Sequence, residues 1–285
     1  MSIIEIQGLH YAYPTPGGGE PRWVLRGIDL SIEAGECVGL MGPTGVGKTT
    51  LCLALTGIVP QSTGGVIRGR ARVLGMDTKH TRVSDLAARV GVVFQDPETQ
   101  LFNLSVEEEV AFGPENLGLS PDEIGPRITW ALDQVGILEL SRRPPSELSG
   151  GEKQRLAIAS ILAMAPEVLV LDEPTANLDP NGKREVREVV RDLKRRRELT
   201  TVVVSQDADW LAEVAERIVV LDGGKVALDG PAQEVLGRTE TLGRIGVAAP
   251  QMCELASELN RSLATNFAFT RLDEAELRLR EALGG

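Results

Sequence analysis

Gly42-Pro43-Thr44-Gly45-Val46-Gly47-Lys48-Thr49-Thr50 is the stretch that decides how this 285-residue chain is read. It fits the spacing G-x-x-x-x-G-K-[ST], a loop whose backbone N–H groups cradle phosphate oxygens. The spacing is informative only between a strand and a helix, and both flanks comply. Glu36 to Met41 is a short apolar run of strand length, and Thr50 to Thr56 has helical character. Gly42, Gly45 and Gly47 permit positive φ and close approach of the backbone to phosphate, while the helix that follows points its positive end at the same charge. On this reading Gly42, Thr44, Gly45, Val46, Gly47, Lys48, Thr49 and Thr50 form a nucleotide-phosphate-binding stretch. Lys48 reaches the β- and γ-phosphates, and the Thr49 hydroxyl ligates Mg²⁺. The competing explanation is a glycine-rich turn that matches by chance, and the residues downstream argue against it.

Val168 to Leu171 is a wholly apolar strand followed by Asp172-Glu173-Pro174. Two adjacent carboxylates at the end of a buried strand are costly unless a cation or a proton transfer requires them. Asp172 is therefore expected to hold Mg²⁺, and Glu173 to act as general base on the attacking water. Val90 to Phe94 is another buried strand, ending at Gln95, and the carboxyl ends of such strands face the ligand crevice of an open α/β sheet. Gln95 is assigned to Mg²⁺ or the attacking water, or else to capping of a loop. Ser149 with Glu152 fits a helix capping box. Gly150 and Gly151 between them are not explained by capping and suit a second phosphate-binding surface at a helix amino terminus.

The remaining organisation follows from local pattern. Ile3 to Ile6 and Leu30 to Ile32 read as short strands separated by a Pro- and Gly-rich loop from Pro14 to Pro21. Gly65 to Gly75 alternates like an edge hairpin. Tyr13 either stacks on an adenine ring or is an ordinary half-buried strand aromatic. From about residue 96 to 165 the pattern is helical and acidic, a helical insertion with an amphipathic helix around Ile128 to Val135. Lys183 to Arg197 is a charged helix, Thr201 to Val204 a buried strand ending in Ser205-Gln206-Asp207, and Ile218 to Gly230 a closing hairpin. Residues 1–237 make the main domain, and 238–285 a helical appendix with helices at Pro250 to Leu259 and Asp273 to Leu283.

Composition narrows the class. The chain is 42% hydrophobic and 25% charged, as a packed globular core requires. Its net charge of −11 argues against nucleic acid as a partner, because phosphate neutralisation needs a dominant basic face. The apolar run Ala157 to Ala165 falls far short of the roughly 18 residues a membrane span needs, and the amino terminus has no secretory pattern. A protein that stays in the cytosol and reaches a membrane only through a protein partner is expected. Cys37, Cys52 and Cys253 show no metal-like spacing and read as small core residues.

Taken together, these residues resemble the ATP-binding cassette (ABC) ATPases over nearly the whole chain. Gly42 to Thr50 is similar to Walker A, Gln95 to the Q-loop, Leu148 to Gln154 to the signature motif, Val168 to Glu173 to Walker B, and Asp179 to the D-loop residue. The resemblance implies a P-loop NTPase core of the α/β class with an antiparallel β subdomain and a helical subdomain. It also implies a head-to-tail dimer in which Ser149, Gly150 and Gly151 bind the γ-phosphate held by the partner's loop. A narrower resemblance lies in Val93 to Phe102 and Val110 to Gly118, which look like the ATPases of energy-coupling factor (ECF) transporters, the CbiO-like group. That implies a second ABC ATPase subunit, a transmembrane T component, a substrate-binding S component, uptake of vitamins or transition-metal ions, and a place on the cytoplasmic face of the membrane. The acidic residues Asp96, Glu98 and Glu107 to Glu109 then suit basic coupling helices of the T component, with a solvated acidic face as the alternative.

The chain departs from the family at Gln206, where the switch histidine is expected. Glutamine still donates an amide hydrogen bond to the γ-phosphate or orients water, but it does not become cationic. The expectation is a site that binds ATP normally and hydrolyses it slowly, beside a different and more active second subunit. Two other functions stay open at this point: the ATPase of a conventional ABC importer, and a soluble nucleotide-switched clamp.

Overall fold

The computed structural model describes residues 2–15, 17, 19–195 and 199–283. The chain builds two sheets. β1 (Ser2–Ala12), β2 (Trp23–Glu33), β4 (Val66–Val73) and β5 (Met76–Asp77) form an antiparallel sheet in the order β2-β1-β4-β5. β3 (Cys37–Met41), β6 (Val90–Val93), β7 (Val168–Asp172), β8 (Thr200–Val204), β9 (Arg217–Asp222) and β10 (Lys225–Pro231) form the second sheet in the order β10-β9-β3-β8-β7-β6. Five of these strands run parallel, and β10 returns antiparallel on β9. The fold class expected from the motifs is the one observed.

β3, β7 and β8 are buried at every residue, as strands covered on both faces must be. Their alternating side chains feed two cores. Val38, Leu40, Val168 and Val170 face the antiparallel sheet, and Leu51, Cys52, Ala54 and Leu55 of the helix Lys48–Leu55 fill the space between. On the other face Cys37, Met41, Leu169 and Leu171 pack with the helices Gly150–Leu162, Pro180–Arg195 and Ala208–Val214. All three cysteines are free and buried.

The antiparallel sheet is much larger than its local signal suggests: β1 and β2 are eleven residues each, not the short runs at Ile3 to Ile6 and Leu30 to Ile32. Gly8 of β1 sits at an irregularity in pairing. β1 shifts register between Ile6 and Leu9 against β2, and between Gln7 and His10 against β4. Gly69 passes so close there that a Cβ would fall 2.1 Å from the Gly8 carbonyl oxygen. The expected edge hairpin is likewise different: β4 pairs along β1, and only the two-residue β5 folds back on it.

Between β6 and β7 lie the helices Val106–Asn116, Pro121–Gln134 and Gly150–Leu162. After β10 come Ala232–Leu236, Thr239–Ile245, Gln251–Leu263 and Leu272–Leu283. Leu242, Val247, Ala249 and Cys253 share one core with Trp210 and Leu211, whereas Ala256, Phe269 and Ala275 form a small cluster of their own. Among the described residues no helix is long and apolar enough to cross a membrane.

Candidate functional site

The carboxyl ends of β3, β6, β7 and β8 meet over one cleft of about 330 Å³. Tyr13, Val24, Thr44, Gly45, Gly47, Lys48, Thr49, Thr50, Gln95, Asp172, Glu173 and Gln206 line it. Residues from six separate segments therefore converge where an open α/β sheet places its ligand.

The loop after β3 has the conformation its glycines permit, with φ of 148° at Gly42, 79° at Gly45 and 111° at Gly47. A side chain at Gly42 would place Cβ 2.5 Å from the Leu221 carbonyl oxygen. The helix Lys48–Leu55 has no side-chain cap, which leaves its first-turn N–H groups for an anion. Lys48 is buried, and its Nζ donates to the Gly42 carbonyl at 2.8 Å and the Pro43 carbonyl at 3.3 Å. Val46 is turned away from the cleft into the core beneath the antiparallel sheet, and its N–H donates to the Pro43 carbonyl at 3.3 Å.

Asp172 ends β7, and Glu173 follows at φ 50°, a left-handed conformation uncommon for a residue with a side chain. The Glu173 N–H continues the ladder to the Val204 carbonyl at 3.0 Å, and its Oε2 accepts the Gln206 N–H at 3.3 Å. Burial raises both carboxyls above their ordinary range. The Thr49 hydroxyl and the Lys48 charge oppose that rise at Asp172, and chiefly the Lys48 charge opposes it at Glu173. Asp172 Oδ1 and Glu173 Oε1 are buried without a hydrogen-bond partner. A pair of unsatisfied buried carboxylate oxygens beside a threonine hydroxyl is a donor set that fits a hard divalent cation and a water. The Gln206 amide donates to Thr44 Oγ1 at 3.3 Å, so it lies across the phosphate loop.

Tyr13 stands at the mouth of the cleft. Its hydroxyl is 3.1 Å from Thr50 Oγ1, and its ring meets Tyr11 edge-on at 4.9 Å. Tyr11, the other tyrosine, is fully buried and donates to the Gly64 carbonyl at 2.8 Å. Val24 of β2 also lines the cleft, and no local pattern marks it; it arrives through the pairing of β1 with β2.

Ser149, Gly150, Gly151 and Asp179 do not line this cleft. Ser149 and Glu152 cap the helix Gly150–Leu162 reciprocally, at 2.7 and 3.3 Å. Asp179 Oδ1 accepts the Gly182 N–H at 2.7 Å at the start of the helix Pro180–Arg195. A Cβ on Gly151 would fall 2.8 Å from Gly182 Cα. Close helix packing is thus a reason for that glycine which the sequence reading did not contain.

The acidic stretch also needs correction. Glu109 is 4% exposed, and one of its oxygens accepts the N–H groups of Phe102 and Asn103 at 2.9 and 2.8 Å. Glu98 is paired with Lys153. Of the set, Asp96, Glu107 and Glu108 are exposed and without an ion pair among the described residues, while Asp96 Oδ1 accepts the Glu98 N–H at 3.0 Å. Gln100 acts locally in a way its polarity alone did not signal. Its side-chain amide accepts the Phe94 N–H at 3.0 Å and donates to the Val92 carbonyl at 3.1 Å, closing the turn that carries Gln95.

A phosphate loop after β3, a carboxylate pair at the end of β7 and a capped glycine segment on a helical insertion define a P-loop nucleoside triphosphatase of the cassette type. The chain belongs to the ABC transporter family, whose pattern it matches over residues 25–176. It is 44% identical over 274 residues, 96% of both chains, to a Pyrococcus abyssi protein named as an ABC transporter ATP-binding protein. It is 42% identical over 260 residues, 91% of both chains, to the energy-coupling factor transporter ATP-binding protein EcfA1 of Caldanaerobacter subterraneus subsp. tengcongensis. Among solved structures it resembles CbiO1 from Clostridium perfringens, part of the ABC transporter complex CbiONQ. That match has a TM-score of 0.74 and 33% identity, and covers 90% of this chain and 99% of that one.

Proposed function

We propose that the chain is the ATP-binding and ATP-hydrolysing subunit that powers an ECF-type membrane importer of vitamins or transition-metal ions. The observation that carries the proposal is the cleft in which Lys48, Thr49, Asp172, Glu173 and Gln206 converge while Ser149, Gly150 and Gly151 stand outside it. Such a site is completed by a second subunit. Tyr13 stacks on adenine, and the loop from Gly42 to Thr50 wraps the phosphates. Lys48 exchanges its two loop carbonyls for β- and γ-phosphate oxygens. Thr49, Asp172 and Gln95 would hold Mg²⁺, which when bound would supply charge neutralisation at the phosphates. Glu173 takes the proton of the attacking water, a role suited by a carboxyl that burial has raised toward neutrality. Gln206 orients that water or the γ-phosphate through its amide. Ser149, Gly150, Gly151 and Asp179 serve the nucleotide held by the other subunit.

That second ABC ATPase subunit differs from this chain and carries the more active site. The appendix at 238–285 supplies dimer contacts. A T component spans the membrane, an S component binds the substrate, and this chain sits peripherally on the cytoplasmic face. An apolar groove of about 430 Å³ beside Gln95 supports docking of the T component; Gln100, Leu101, Phe102, Phe112 and Met164 are among its lining residues. Phe102, which lines it, is 63% exposed, Leu104 two residues on is 83% exposed, and the exposed Glu107 and Glu108 follow in the next helix. A short segment with apolar contacts and basic side chains complements that surface.

The test is phosphate release by the chain assembled with its membrane and ATPase partners, comparing wild type with Glu173→Gln. Loss of a positioned general base lowers turnover about a hundredfold or more, while ATP still binds. Equal turnover in the two proteins would reject the assignment. Co-purification with an ECF-type T component separates this function from that of a conventional ABC importer.

A further inference from the structure

The helix Gln251–Leu263 opens at Pro250 without a side-chain cap from its own segment. The group that meets its first N–H comes from elsewhere: Gln251 N donates to Asp209 Oδ1 at 3.1 Å, across 42 residues. Asp209 lies in the first turn of the seven-residue helix Ala208–Val214, which starts directly after Gln206 and Asp207. That short helix is tied at its other side as well. Asp207 accepts the Trp210 N–H at 3.0 Å and is ion-paired with Arg187 of the helix Pro180–Arg195, and the Arg187 guanidinium also lies over the Trp210 ring at 5.6 Å. Trp210 and Leu211 are packed in one core with Val247, Ala249 and Cys253 of the appendix. Gly246, at the entry to this segment, approaches Pro43 of the phosphate loop, with its Cβ position 4.0 Å from Pro43 Cγ.

We propose that Asp209 is a positioning residue that couples the carboxy-terminal appendix to Gln206, so that nucleotide in the cleft is sensed by the helix Gln251–Leu263 and the seating of that helix sets Gln206. The inference rests on the nucleotide site assigned above and adds a route out of it. A carboxylate at a helix amino terminus satisfies an orphan N–H and favours the positive end of the helix, so Asp209 holds the start of Gln251–Leu263 in one place. The same side chain belongs to a helix too short to bend, whose first residue is two positions from Gln206. Asp209 and Gln206 both lie at its amino-terminal end, so a displacement of the contact with Gln251 moves the backbone that carries Gln206 with it.

Hydrogen exchange on the full-length chain, with and without ATP and Mg²⁺, tests this in a Glu173→Gln background that blocks turnover. Nucleotide is expected to slow exchange both in the loop 42–50 and in 251–263. In Asp209→Ala the loop still responds, 251–263 exchanges about fivefold faster, and its response to nucleotide is gone. Asp209→Asn keeps the acceptor oxygen and restores the response. A purely structural cap gives faster exchange in Asp209→Ala with the nucleotide response intact, and that result overturns the proposal. So does a wild-type 251–263 segment indifferent to nucleotide while the loop 42–50 responds. If the loop itself does not respond, the nucleotide site is wrong and the coupling falls with it.

Discussion

Gln206→His adds a titratable donor at the point where the Gln206 amide now lies 3.3 Å from Thr44 Oγ1 and its N–H is 3.3 Å from the Glu173 carboxylate. The amide offers a neutral hydrogen bond to the γ-phosphate, worth about 1 kcal/mol, whereas an imidazolium offers a charged one worth about 1.5 to 3 kcal/mol. The difference of about 0.5 to 2 kcal/mol, if realised as charge develops on the phosphoryl group, raises turnover about 2- to 30-fold. The gain carries a pH signature. A histidine is cationic below its pKa, ordinarily about 6.5 and raised beside the Glu173 carboxylate, so the advantage is largest at low pH and fades as pH rises through that value. Wild type has no such limb. The assay is phosphate release by the assembled complex between pH 6 and 9, with nucleotide saturating. Unchanged turnover, or a gain that does not fade with pH, would refute the claim that the missing cation limits this site.

Three further outcomes follow from the packing. Burial raises the Asp172 carboxyl, so the folded protein binds more protons than the unfolded chain just above the ordinary carboxylate range, and stability falls as pH rises through that window. Asp172→Asn should therefore raise the Tm of the nucleotide-free protein by about 2 to 4 °C for each kcal/mol relieved, while abolishing Mg²⁺-dependent turnover; a lower Tm at neutral pH contradicts the reasoning. Gly151→Ala drives a methyl to 2.8 Å from Gly182 Cα, and the resulting helix shift should cost about 1 to 3 kcal/mol in urea unfolding. Glu109→Ala leaves the N–H groups of Phe102 and Asn103 without their acceptor and should destabilise the fold by about 2 to 3 kcal/mol. It should also weaken co-purification of the membrane component, whereas Glu107→Ala should leave stability within about 0.5 kcal/mol of wild type.

Several side chains show why some features were legible before the fold was known. Lys48 and Thr49 were assigned from spacing because a phosphate loop is local: glycines, lysine and helix start lie within nine residues, so chain geometry alone brings them together. Asp172 and Glu173 stood out because carboxylates end an apolar strand, a local conflict that burial makes costly. Glu109 was misplaced because exposure of an acid in a charged run is not a local property; it depends on the loop from Phe102 folding over it. The full length of β1 and β2 is not legible locally, because Gly8 and Gly27 fall at register shifts that only cross-strand pairing reveals.

The sequence by itself determined the phosphate loop, the paired carboxylates, the buried strands that end in site residues and the glutamine in place of a switch histidine, since each rests on contiguous residues. Only the tertiary structure decided that Val24 reaches the nucleotide cleft, that Gly151 meets Gly182, that Gln100 closes the Gln95 turn and that Asp209 caps a helix 42 residues away. Those contacts join segments distant in the chain, and their energies arise from complementary surfaces that exist only after the two sheets and the appendix have packed.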